Sequence, residues 1–147
     1  MRAVVTRVKN ASVVINEQVN GQIGTGFLVL LGVGPNDTEV TADKLADKIC
    51  NLRVFEDENE KMTLNLEQVG GSLLVVSQFT LYADTSSRRP GFTGAAKPDQ
   101  AIPLYEDFMA RCRERGFAVE HGEFGADMQV ESVNDGPVTI LFDTERP

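Results

Sequence analysis

The run Leu73-Leu74-Val75-Val76 carries no charge and no polar break, the signature of a strand buried on both faces. Such a strand needs other elements packed on either side of it. Arg2 to Ile15 is rich in valine with a polar break at Lys9-Asn10, and Val19 to Ile23 then Phe27 to Val33 continue the strand pattern. The N-terminal part therefore reads as a β meander. After the turn-forming Gly34-Pro35-Asn36-Asp37, apolar residues recur at Ala42, Leu45, Ala46, Ile49 and Cys50. That is the spacing of one amphipathic helix, capped near Asp37 or Thr38. Leu52 to Phe55 reads as a short strand, the acidic run Asp57 to Glu60 as a solvated turn, and Gly70-Gly71 as a tight connection into a strand over Ser72 to Phe79.

Asp84 to Gln100 mixes Gly, Pro, Ser and Arg without periodicity, and a loop of that length is usually functional, so it is expected beside the site. Pro103 fits the first turn of a second helix whose buried face is Tyr105, Phe108, Met109 and Cys112, with Gly116 as its stop. Strands are expected again over Phe117 to Glu123, Met128 to Val133 and Val138 to Asp143. Two helices and about eight strands on short connections predict one α/β domain, its largely antiparallel sheet curving toward a barrel. That domain spans residues 1–147.

A chain of 147 residues with 41% hydrophobic content suits one compact core. Its apolar stretches, such as Gly26 to Val33, are too short to span a bilayer, and Met1-Arg2-Ala3-Val4-Val5 reads as a strand, not a cleavable signal. A cytoplasmic protein with no membrane partner is expected. A net charge of -8 at pH 7 argues against a protein that tracks along a phosphate backbone, so any nucleic-acid contact must be local. Cys50 and Cys112 sit in helical apolar patterns without CxxC spacing, which favours reduced core thiols.

Familiar catalytic sets are missing. His121 is the one histidine, so no His-rich metal site can form, and two separated cysteines cannot alone build a structural zinc site. Neither a metal nor an organic cofactor is expected. His121 itself reads as a surface or packing residue in preference to a general base. Ser77 lacks the G-x-S-x-G elbow, neither Ser77 nor Thr80 has an identifiable partner base, and Gly21 to Gly26 lacks dinucleotide-binding spacing. Two segments stand out against that plain background. Ser77-Gln78-Phe79-Thr80-Leu81-Tyr82 puts hydroxyl and amide groups at the end of a buried strand, where unpaired polar groups are costly and often face a pocket. Asn134-Asp135-Gly136-Pro137-Val138-Thr139 is a turn-forming run, for which physics alone favours a hairpin turn between two strands.

Together these segments resemble the paired signature of the D-aminoacyl-tRNA deacylase family, a Ser-Gln-Phe-Thr-Leu run and an Asn-x-Gly-Pro-x-Thr run. The resemblance extends to the opening Met1 to Val5 with Arg7, to Asn51-Leu52-Arg53-Val54-Phe55, to Arg88-Arg89-Pro90 and to Phe124-Gly125-Ala126-Asp127-Met128. Gly91 departs from it, a serine being expected there, and Thr93 and Gly94 are also unusual, which bears on the shape of that loop.

The resemblance implies hydrolysis of D-aminoacyl-tRNA to free D-amino acid and tRNA by a homodimer. In that scheme Gly136-Pro137 of one subunit, joined by a cis peptide bond, enters the pocket of the other. Its carbonyls hold the substrate's α-amino group and occupy the space an L side chain needs. Arg7 orients that pair, and Asn134 and Met128 belong to the substrate site. The catalytic run Ser77, Gln78, Phe79 and Thr80 binds the 3′-terminal adenosine and presents backbone amides to the ester. Glycine has no side chain to collide, so glycyl-tRNA, including glycine mischarged on alanine tRNA, is an implied substrate.

Arg88, Arg89 and Lys97 are candidate contacts to acceptor-end phosphates, with solvated loop charges as the alternative. Two mechanisms stay open. Either Thr80 Oγ is a covalent nucleophile, or the amides of Phe79 and Thr80 stabilise the oxyanion while the tRNA's 2′-hydroxyl assists water; the lack of a base for Thr80 favours the second. The competing functions are a non-catalytic dimeric binding module and a general esterase for small D-amino-acid esters.

Overall fold

The computed structural model describes residues 1–147. Its elements follow in chain order as β1 (Arg2–Ile15), β2 (Gln18–Ile23), β3 (Gly26–Gly32), α1 (Glu39–Cys50), β4 (Phe55–Glu56), β5 (Met62–Leu64), β6 (Ser72–Ser77), a 3-10 turn (Phe79–Tyr82), α2 (Pro98–Glu114), β7 (Val119–His121) and β8 (Gln129–Asp143). β2 and β3 together fold back along β1, from Ile15 opposite Gln18 to Arg2 opposite Gly32. The main sheet runs β2-β1-β3-β6-β7, with β8 on the other edge of β1. β1 pairs antiparallel with β2, β3 and β8, whereas β3-β6 and β6-β7 are parallel, so the sheet is mixed. Its ends nearly close: the Asn20 side chain on β2 donates to the His121 carbonyl on β7 at 2.7 Å.

The double burial expected of β6 is present, and the pleat explains it. Leu73 and Val75 join a core cluster shared with α1 and α2, while Leu74 and Val76 join a second cluster with Val8, Val13, Ile23 and Leu28 inside the curved sheet. Parallel pairing with β3 begins at Gly26 opposite Ser72. Gly26 has φ +157, and a side chain there would run into the Ser72 carbonyl, so the close start of this ladder requires glycine. Ala42, Leu45, Ala46, Ile49 and Cys50 form the buried stripe of α1 as their spacing predicts.

Thr38 is the N-cap of α1, its amide donating to Thr41 Oγ1 at 3.1 Å. Asp37 turns inward instead. Its Oδ1 pairs with the α-ammonium of Met1 at 2.7 Å, and its Oδ2 accepts the Gly34 amide at 2.7 Å. The same ammonium donates to Thr144 Oγ1 at 2.6 Å, tying both ends of the chain to the first loop.

Several boundaries differ from the expectations. Leu52 to Val54 form no strand; only Phe55–Glu56 pairs, with Met62–Leu64. The strand over Ser72 to Phe79 stops at Ser77, and Phe79 opens the 3-10 turn. β7 is confined to Val119–His121. The second helix starts at Pro98, which takes the first-turn role assigned to Pro103, and Pro103 lies inside the helix. Gly116 does stop it, with φ +95.

The largest difference is at Asn134 to Thr139. No hairpin turn separates two strands there: β8 runs unbroken beside β1. Val8 lies opposite Asn134 and Thr6 opposite Thr139, so residues 135–138 all face the single Arg7. The turn-forming composition builds a bulge, because the φ of +124 at Gly136 and the missing N–H of Pro137 suit a bulged strand as well as a turn. A second register shift between Val8 and Asn10 accommodates the polar break at Lys9-Asn10 without ending β1.

Candidate active site

β6 ends at Ser77, and the Gln78 amide makes the last bond of the ladder, to the Leu31 carbonyl at 2.7 Å. The chain then tightens into the 3-10 turn, closed by Leu81 N–H to Gln78 O at 3.2 Å and Ala83 N–H to Thr80 O at 3.1 Å. The first amides of such a turn, here those of Phe79 and Thr80, have no acceptor within it. The Gln78 side-chain amide donates from Nε2 to Thr80 Oγ1 at 2.5 Å.

A cavity of about 700 Å³ opens here, with Ser77, Gln78 and Phe79 on one side and Phe124, Ala126, Met128 and Val130 on another. The loop residues Phe92, Thr93, Ala95 and Ala96, with Lys97 and Pro98 at the start of α2, complete the wall. The long loop thus lines this cavity. Phe92 meets Phe79 edge-on, ring centroids 5.3 Å apart. Sequence reasoning missed Phe92; its signal was one aromatic among small and polar neighbours in a loop.

Lys97 is the one ionisable side chain in this wall, which holds no His, Asp, Glu, Cys or Tyr. Burial raises the Tyr82 phenol above its usual pKa, with Asp37 adding to the effect, so Tyr82 is neutral at physiological pH. His121 is exposed on β7 and does not line the cavity. No three His, Cys, Asp or Glu side chains converge as metal ligands.

The remaining predicted residues gather elsewhere in the same chain. Arg7 is 4% exposed, and its guanidinium donates from Nε to the Asp135 carbonyl at 2.9 Å and from Nη1 to the Val54 carbonyl at 2.6 Å. Carboxylates of Glu56 and Asp135 each approach it at 3.6 Å. A Cβ on Gly136 would lie 2.8 Å from Arg7 Nη2 and push the guanidinium from its place, and the φ of +124 there also favours glycine. The Gly136-Pro137 peptide bond is cis, and both residues, with Asn134, are exposed. Asn134 Oδ1 accepts from Ser132 Oγ at 3.0 Å. The predicted residues therefore fall into two groups: Ser77, Gln78, Phe79 and Met128 at the cavity with Thr80 beside them, and Arg7, Asn134, Gly136 and Pro137 on the β1–β8 bulge. Neither Gly136 nor Pro137 lines the cavity of its own chain.

A mixed barrel-like sheet with two helices defines a class of α/β proteins with known members. The c-Myc DNA Unwinding Element Binding Protein superposes with a TM-score of 0.92 at 40% identity, covering 97% of this chain and 98% of that one. The structure of a probable eukaryotic D-amino acid tRNA deacylase gives 0.82 at 16% identity over 96% of this chain and 97% of that one, a likeness of fold. Within that class the chain belongs to the D-Tyr-tRNA(Tyr) deacylase family, whose model matches residues 4–143. The D-aminoacyl-tRNA deacylase of Shewanella baltica (strain OS185) is 61% identical over 141 residues, 95% of this chain and 97% of that protein. That of Herpetosiphon aurantiacus is 57% identical over 145 residues, 98% and 95% of the two chains.

Proposed function

We propose that the protein is a D-aminoacyl-tRNA deacylase, releasing free D-amino acid and tRNA in the cytoplasm, and that it works as a homodimer. The observation that carries the dimer is the division of the site. The turn with free amides lines a cavity, while the Gly136-Pro137 bulge that would read the amino acid stands exposed and outside the lining of that cavity in the same chain. A second copy offering its bulge to the first completes both sites. The cavity takes the terminal adenosine and the aminoacyl ester, with Met128 in its wall and Asn134 beside the bulge. The carbonyls of Gly136 and Pro137 receive the α-amino group and fill the space of an L side chain.

An aminoacyl ester is an activated bond, so positioning and oxyanion stabilisation suffice for its hydrolysis. The amides of Phe79 and Thr80 supply the oxyanion contacts, and the terminal 2′-hydroxyl of the tRNA assists the attacking water. Gln78 already donates to Thr80 Oγ1, and an amide cannot take the hydroxyl proton, which supports a non-nucleophilic Thr80. Thr80→Ala is expected to keep most of its activity; a loss beyond about a thousandfold, the scale of a removed catalytic group, would establish a covalent route.

The deciding experiment compares D-tyrosyl-tRNA with L-tyrosyl-tRNA as substrates in the presence of a chelator. Rapid loss of the D ester alone is expected. Glycyl-tRNA is expected to be cleaved too, and its inertness would mean that side-chain pockets contribute to selection. A nucleic-acid-binding module is the second reading, favoured by the likeness to a protein named for binding a DNA unwinding element. Binding of tRNA with neither ester hydrolysed would select it.

A further inference from the structure

We propose that Lys97 receives the 5′-phosphate of the terminal nucleotide, and that this contact makes the cavity select an ester carried on nucleic acid over the same ester on a bare nucleoside. The inference rests on the deacylase reading above and deepens it. Every other side chain in the cavity wall is neutral, so this one ammonium sets the wall's electrostatic preference. It makes no salt bridge within the chain. On a protein of net charge -8, a lone cation in a neutral wall is the point to which a phosphate is drawn.

Its position separates Lys97 from the other cations of its loop. Asp84 and Gly91 bridge through paired backbone bonds of 2.7 and 3.0 Å, which leaves Arg88 and Arg89 in a closed loop outside the cavity wall. Lys97 lies on the return, where the backbone is held on both sides. The Ala96 amide donates to the Val33 carbonyl at 2.9 Å, and the Lys97 carbonyl accepts from the Gln100 and Ala101 amides at 3.0 and 2.8 Å. Lys97 is thereby the N-cap of α2, and no side chain caps that helix, so its positive end adds to the ammonium. Asp99, in the first turn, takes no part in the wall. The ester and the 5′-phosphate leave a terminal nucleotide from different ends of its ribose. With the ester held at the amides of Phe79 and Thr80, Lys97 fixes the other end and so the direction in which the strand leaves.

The test gives the full-length protein D-tyrosyl-tRNA and the D-tyrosyl esters of 5′-AMP and of adenosine on the 3′-oxygen. The parent is expected to favour the AMP ester over the adenosine ester by about tenfold in kcat/KM. The gain appears in KM, because a phosphate remote from the reacting carbon contributes uniform binding. Lys97→Ala brings that ratio to about one, Lys97→Glu reverses it and Lys97→Arg keeps it. With D-tyrosyl-tRNA, Lys97→Ala raises KM about tenfold and makes its logarithmic dependence on salt shallower by about one. Each ratio is taken within one variant, so it does not depend on how much of that variant is folded. A parent ratio near one, a Lys97→Ala ratio like the parent's, or an unchanged KM for D-tyrosyl-tRNA in Lys97→Ala overturns the proposal and leaves the deacylase reading standing. A parent that hydrolyses no D ester overturns both.

Discussion

Arg7→Ala is expected to lower kcat/KM for D-tyrosyl-tRNA by roughly 100- to 1,000-fold, the scale on which displacing a positioning group by about 1 Å acts. Arg7 touches no reacting atom in the proposed scheme. It holds the Asp135 carbonyl on the bulge and the Val54 carbonyl before β4, and its Nη2 sits where a Gly136 side chain would be. Alanine releases both carbonyls and leaves a hole behind Gly136-Pro137. Because the proposed scheme makes the bulge the element that reads chirality, the ratio of D to L cleavage should fall further than it does for any change in the cavity wall. Removing a buried guanidinium that bridges two segments also costs about 3 kcal/mol of stability, so activity must be read well below the melting transition. Arg7→Lys should recover little, since an ammonium cannot serve both carbonyls through a planar fork. Single-turnover hydrolysis of both esters measures this, and a variant within threefold of the parent on both would remove Arg7 from the site.

Asp37→Ala should destabilise the protein by about 3–5 kcal/mol, the cost of leaving one member of a buried ion pair without its partner. The Met1 ammonium is fully buried, and after this change Thr144 Oγ1 would be its one remaining side-chain acceptor. The Gly34 amide loses its acceptor as well. The expected fall in thermal midpoint is roughly 10 °C or more for a chain of this size. Asp37→Asn, which keeps the volume and an acceptor for Gly34, should fall between the two. A drop of under about 3 °C for Asp37→Ala would mean that water reaches the ammonium and that the pair stabilises little.

Much of this was legible in the residues. The unbroken Leu73 to Val76 run dictated a strand with cores on both sides, and the stripe from Ala42 to Cys50 marked α1. The strand-end position of Ser77 to Thr80 pointed to a pocket wall, and that is where Ser77, Gln78 and Phe79 lie. The bulge was not legible locally, because Asn, Gly and Pro suit turns and bulges alike, and only the fourteen-residue partner β1 decides between them. Pro103 misled because a proline tolerated inside a helix looks the same as one that begins it. Phe92 was hidden for a different reason: a loop side chain acquires its role from whatever it folds against, here Phe79, and no periodicity records that.

The alternation along β6 carries one more consequence. Odd-numbered Leu73 and Val75 serve the helices, and even-numbered Leu74 and Val76 serve the barrel interior. Inserting or deleting one residue in this strand would therefore exchange the two interiors, sending every side chain into a space shaped for its neighbour. The strand acts as a parity gauge between the two halves of the molecule: conservative swaps can pass along it, but a change in count cannot.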